Sequence, residues 1–250
     1  TLNDKAANDT GRPGFENDVR LEFSNDPDGN GQGETGLTPW DTVVCFTFRI
    51  DGVKTNDHGT NLEGAKFRLY ADKDCTEEVY VKQSSDGYIV INRDSVGGND
   101  HVGGTRPNDA VEMVSNDQGV FNIIGLDKGT YYLKEIDAPD GYRPLLDPIE
   151  INIVPTYTTN RNFYVKGDGA TEKTLKTLEA TAKIKSFYSG IFNTEDLNLT
   201  TDVNNGSLNL NVVNKVGTKL PVTGSVGTLL AVSLGSGLMT YSVARKKKNK

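Results

Sequence analysis

Between residues 43 and 214 the chain is punctuated every few residues by clusters that demand a turn, such as SSDG, SVGGND and NDQG. Alternating runs rich in β-branched and aromatic residues predict strands at 43–54, 66–70, 78–82, 88–92, 110–114, 120–124, 130–137, 148–154, 162–166 and 207–214. Many short strands separated by turns make an all-β sandwich the expected fold. One stretch has another rhythm: in 171–188, Leu175, Leu178, Ala182, Ile184, Phe187 and Tyr188 have rough helical spacing, which predicts a short helical insertion over one edge of the sandwich.

Residues 1–42 are rich in Asn, Asp, Gly and Pro and read as the tail of a preceding domain plus a linker, with one short strand at 18–23. Thr1 follows no leader, so the chain is expected to be part of a longer precursor. Within the linker, Asp26 to Gly31 (DPDGNG) matches the first half of an EF-hand calcium loop. Position twelve is Leu37, without a carboxylate, and the better reading is a turn-rich linker with no metal site.

Charge narrows the function classes. The net charge of −7 conceals an asymmetry, because Arg245, Lys246, Lys247, Lys248 and Lys250 crowd the last six residues and leave 22 basic against 34 acidic side chains in 1–244. A body that acidic repels phosphate, so no nucleic-acid partner is expected. His58 and His101 both stand in Gly/Asn/Asp-rich stretches and read as loop residues. Neither a G-x-S-x-G elbow nor a Cys/His pair nor a phosphate-cradling glycine loop is visible, so the chain does not read as an enzyme, and no cofactor is expected. Cys45 and Cys75 form no CxxC pair; by themselves they are either free thiols or one disulfide.

Residues 225–244 run twenty positions without a charge and precede RKKKNK. That is long enough to cross a bilayer core of about 30 Å as a helix, with the basic tail left on the cytoplasmic side. Immediately before it stand Leu220, Pro221, Val222, Thr223 and Gly224. LPVTG, an apolar segment and a basic tail, in that order, resemble a Gram-positive sortase sorting signal. The resemblance implies transient membrane insertion of 225–244, attack of a sortase cysteine on the Thr223 carbonyl, and transfer of Thr223 to an amine. It also implies export into an oxidising compartment, where Cys45 and Cys75 are expected to pair as a disulfide.

Three further segments carry a second resemblance. Residues 129–142, GTYYLKEIDAPDGY, resemble the E-box of Gram-positive pilins and CnaB-type surface domains, with Ile136 where Thr is usual. Residues 54–65, KTNDHGTNLEGA, resemble the opening of such domains, in which a lysine ends the first strand ten residues before a Gly-Ala pair. Residues 212–224, VVNKVGTKLPVTG, place Asn214 on the last strand, where these domains keep their isopeptide asparagine. The resemblance implies a self-made amide between Lys54 and Asn214, with Glu135 as its autocatalytic acid and an immunoglobulin-like CnaB sandwich over 43–219 ahead of the sorting signal at 220–250. Burial disfavours the charged forms of amines and carboxyls alike, so one apolar site suits both a neutral Lys54 and a protonated Glu135. Strand alternation supports the grouping: Phe48, Ile50, Gly52 and Lys54 share one face, as do Tyr131, Leu133 and Glu135. Arg49 cannot replace the nucleophile, because a guanidinium stays charged.

The expected function is that of a structural subunit of a sortase-assembled pilus, extracellular and covalently attached to the Gram-positive cell wall. The alternative is the stalk of a wall-anchored adhesin. Expected partners are a sortase, the peptidoglycan cross-bridge or neighbouring pilin subunits, and host surface proteins.

Overall fold

The computed structural model describes residues 7–25, 29, 34–91, 106–158, 174–188 and 191–217. In chain order its strands are Phe15–Val19 (β1), Glu22–Ser24 (β2), Thr35–Leu37 (β3), Asp41–Cys45 (β4), Phe48–Asn56 (β5), Lys66–Tyr70 (β6), Glu78–Val79 (β7), Val81–Ser84 (β8) and Gly87–Val90 (β9). There follow Met113–Val114 (β10), Ile123–Leu126 (β11), Gly129–Asp137 (β12), Ile149–Tyr157 (β13), Leu175–Tyr188 (β14), Ile191–Leu197 (β15), Leu199–Asp202 (β16) and Ser207–Asn214 (β17).

Two sheets carry the core. One has the order β16-β17-β5-β11-β9-β8; the other runs β10-β6-β12-β13-β14-β15, with β7 added beside β6. Alternation decides what they bury: β17 hides Leu208, Leu210, Val212 and Asn214 and exposes the residues between, while β5 hides Phe48, Ile50, Gly52 and Lys54. From the facing sheet come Phe67, Leu69, Leu133, Ile149, Ile151 and Ile153, closing one continuous apolar core. The sheet pairing sets up the site. β5 and β17 lie side by side and parallel, with Ile50 opposite Leu208, Lys54 opposite Val212 and Asn56 opposite Asn214. A parallel pair needs a crossover, and here that crossover is nearly the whole domain.

The segment expected as a linker contributes strands. β1 pairs with β4, β2 with β3, and residues 10–12 dock on the sandwich. Gly11 N–H donates to Thr47 O (2.8 Å), Arg12 N–H to Asn204 O (2.9 Å), and the Arg12 guanidinium to Leu175 O (2.7 Å). Gly11, at φ 74, lies so close to Gly206 that a Cβ would sit 2.2 Å from its nitrogen, and a side chain there would push this segment off the sheet. The strand expected at 43–54 is two strands, because the chain passes from the β1–β4 pair into the sandwich at Phe46–Thr47. There the Phe46 ring stacks on Tyr157 with centroids 5.6 Å apart.

The helical insertion expected over 171–188 is corrected: residues 175–188 are a strand that pairs with β13 on one side and β15 on the other. Leu178, Ala180, Ala182 and Ile184 alternate inward along it. Lys176 is skipped in the register, Thr177 facing Thr156 and Leu175 facing Tyr157. That bulge puts Leu175 and Leu178 three apart on one face, which imitates a helical period. Among the described residues no helix is long and apolar enough to cross a membrane. The strand expected at 162–166, the expected membrane span at 225–244 and most of the 26–31 loop lie outside the described residues.

Candidate cross-linking site in the core

Lys54, Glu135 and Asn214 meet at one end of the core. Lys54 is 0% exposed, Asn214 1% and Glu135 6%. Lys54 and Asn214 come from neighbouring strands of one sheet, both on its inward face, and Glu135 reaches them from β12 in the other. A bulge aims the carboxylate. Against β6 the register of β12 slips between Glu135 and Asp137, which leaves Ile136 outside the ladder and facing solvent while Glu135, opposite Phe67, points inward.

The geometry is close. Lys54 Nζ stands 3.4 Å from Glu135 Oε1 and donates to Val212 O at 3.2 Å. Asn214 Nδ2 donates to the same Oε1 at 2.9 Å, and Leu145 N–H holds the other oxygen, Oε2, at 2.7 Å. Asn214 Oδ1 is buried with no hydrogen-bond partner, a state that costs about 1–3 kcal/mol. Apolar walls surround the group: Phe121 lies against Gly52 two residues before Lys54 and stacks on Phe67 at 4.3 Å. Burial pushes the Lys54 amine down from 10.5 to about 8, against the opposing pull of Glu135. The site thus sets a buried amine, whose charge burial disfavours, beside a carboxyl group and a carboxamide.

The loop between β12 and β13 supplies contacts that no strand pattern reveals. The Leu145 N–H on Glu135 and the Val212 carbonyl on Lys54 are backbone groups, and their part depends on register and loop path alone. Tyr142 did carry a signal, as the last residue of the E-box-like motif; its hydroxyl accepts a hydrogen bond from Asn56 Nδ2 at 3.2 Å.

The expected Cys45–Cys75 disulfide is corrected: both are free cysteines. Cys45 ends β4, whereas Cys75 sits in the turn after β6. Among the described residues no group of three His, Cys, Asp or Glu side chains could hold a metal ion. The sorting motif, Leu220 to Gly224, lies outside the described residues.

Residues 49–167 match the family model of the SpaA prealbumin-like fold domain. That match includes Lys54 and Glu135. No curated protein matches the chain. Among solved structures it is similar to the pilus 2b backbone protein of group B streptococcus, at 21% identity and a TM-score of 0.38 over 74% of this chain and 49% of that one. It is similar also to the major pilin subunit of Bacillus cereus, at 15% identity and a TM-score of 0.38 over 83% and 40% of the two chains. A third is a C-terminal fragment of a major pilin of Streptococcus agalactiae, at 26% identity and a TM-score of 0.41 over 60% and 48%. The chain therefore spans half or less of the length of each of these three structures.

Proposed function

We propose that this chain is a structural subunit of a Gram-positive surface pilus, locked by an amide between Lys54 and Asn214 and joined through Thr223 to a cell-wall amine or to the next subunit. The observation that carries the reading is the burial of lysine, carboxyl and carboxamide in one apolar site, with Glu135 touching both partners. The SpaA-type domain match supports it, as does the order of motif, apolar segment and basic tail at 220–250.

The chemistry balances within the chain. Neutral Lys54 Nζ attacks Asn214 Cγ while a proton on Glu135 supports the charge growing on Oδ1. A half-turn of the carboxamide brings that orphaned oxygen to face the carboxyl. The Cγ–Nδ2 bond then breaks, the Lys54 proton leaves with Nδ2 as ammonia through Glu135, and the amide remains. Intact-mass measurement of the folded protein is expected to come out about 17 Da below the calculated value, as one ammonia lost per amide formed requires. Glu135→Ala is expected to restore the full mass. Full mass in well-folded wild-type protein would refute the cross-link. Attachment is tested separately: wall-bound protein is expected to end at Thr223, and recovery of residues 225–250 from the wall fraction would refute it.

A further inference from the structure

We propose that the Gly141–Leu145 segment is a latch that closes over the end of β17 and, in closing, presents Glu135 for reaction, with Tyr142 as a positioning residue. The inference rests on the cross-linking reading above and concerns what makes that reaction fast.

One short segment touches the elements that carry all three reactive groups. Its Leu145 N–H occupies Glu135 Oε2 and so leaves Oε1 to Lys54 and Asn214. Two residues earlier, Arg143 N–H donates to Lys215 O at 3.0 Å, and Gly217 N–H returns a bond to Gly141 O at 2.9 Å. Tyr142 and Val216 face each other between them as an antiparallel bridge. The Tyr142 hydroxyl meets Asn56, two residues beyond Lys54 on β5. The sequence shapes the segment for this. Tyr142 N–H closes a turn onto Pro139 O, and Gly141 at φ 85 supplies the left-handed third position that such a turn requires.

Asn214 is the last residue of β17, the last strand among the described residues, and a strand frays first at its end. Were Lys215–Gly217 free, opening of that end would admit water to Lys54, return its charge and separate the carboxamide from the acid. The latch removes that route. Because the carboxyl is held by the same segment, the site is complete only after β17 has docked, so the amide cannot form before the final strand is in place.

The test uses the full chain made by cell-free synthesis, quenched in denaturing acid at timed intervals and weighed intact. Gly217→Pro deletes the N–H donor to Gly141, whereas Gly217→Ala keeps it. The proline variant is expected to lose its 17 Da about tenfold more slowly than the alanine variant, and Tyr142→Phe about threefold more slowly than wild type, as loss of single positioning hydrogen bonds implies. The pH–rate midpoint should also move upward from about 8 in Gly217→Pro, because an opened site rehydrates Lys54 while Glu135 still faces it; damage elsewhere in the fold would leave the midpoint in place. Wild-type rate and midpoint in both Gly217→Pro and Tyr142→Phe would overturn the latch. If Gly217→Pro does not fold, Tyr142→Phe decides alone. Wild-type chain that never loses ammonia would overturn the cross-link itself, and the latch with it.

Discussion

Lys54 is a lysine whose burial disfavours its charge, and on the proposed cross-link that effect is measurable in a variant unable to form the amide. In Asn214→Ala the amine stays free, with a folded pKa of about 8 against 10.5 unfolded. Below pH 8 it is charged in both states and the folded form bears the full burial penalty, on the order of 3 kcal/mol. Between pH 8 and 10.5 the folded form has already shed a proton that the unfolded chain still holds, so stability rises with pH across that window. Denaturant midpoints of Asn214→Ala are therefore expected to climb from pH 8 to 10. Wild type is expected to lack this climb, since an amide nitrogen does not titrate; tyrosine ionisation affects both proteins alike and cancels in the difference. Identical pH profiles would mean that Lys54 is free in both and that wild type carries no amide. The grouping of Lys54, Glu135 and Asn214 was legible from strand parity plus motif, because alternation tells which face a residue takes. The partners of Glu135 Oε2 and Lys54 Nζ were not, since backbone donors and acceptors leave no mark in residue type.

Along the strands, parity was a sound guide wherever the ladder is regular and misled where it slips. β6 and β17 stand at their expected positions, and β12 within a residue of its own, its one slip at Ile136 falling next to the strand's end. β14 was hidden by the bulge at Lys176, which shifts inward residues from two apart to three. As a strand between β13 and β15 it has a buried Leu178, and Leu178→Ala is expected to cost about 2–5 kcal/mol, read as a lowered urea midpoint. A surface helix would lose far less. Gly52 gives a second check. A Cβ there would meet the Phe121 ring at 2.6 Å, so Gly52→Ala is expected to destabilise by about 1–3 kcal/mol and, by displacing the wall beside Lys54, to delay amide formation. The cysteines teach the complementary lesson: compartment says whether a disulfide can persist, but only the fold says whether two thiols can meet. Both are expected to alkylate in unreduced, denatured protein, and a single unmodified species would contradict the free thiols.

For the molecule as a whole, an amide that closes a loop of roughly 160 residues constrains the unfolded chain by about 5 kcal/mol on the loop-entropy model. Glu135→Ala is accordingly expected to lower Tm by about 10–20 °C, at roughly 2–4 °C per kcal/mol for a chain of this size, and an unchanged Tm would show that the bond contributes nothing to equilibrium stability. The parallel run of β5 beside β17 has one more consequence, and it is mechanical. The chain enters the sandwich at Phe48 and leaves at Asn214, opposite ends of two strands that point the same way. Pulling on both ends loads that pair in shear along its length. With Lys54 bonded to Asn214, the load crosses from strand to strand near their tips, and everything between those residues drops out of the force path. In single-molecule stretching, Asn214→Ala should release a step of roughly 500 Å as some 160 residues extend at about 3.4 Å each, while the cross-linked chain yields no such step: the domain becomes inextensible over most of its sequence.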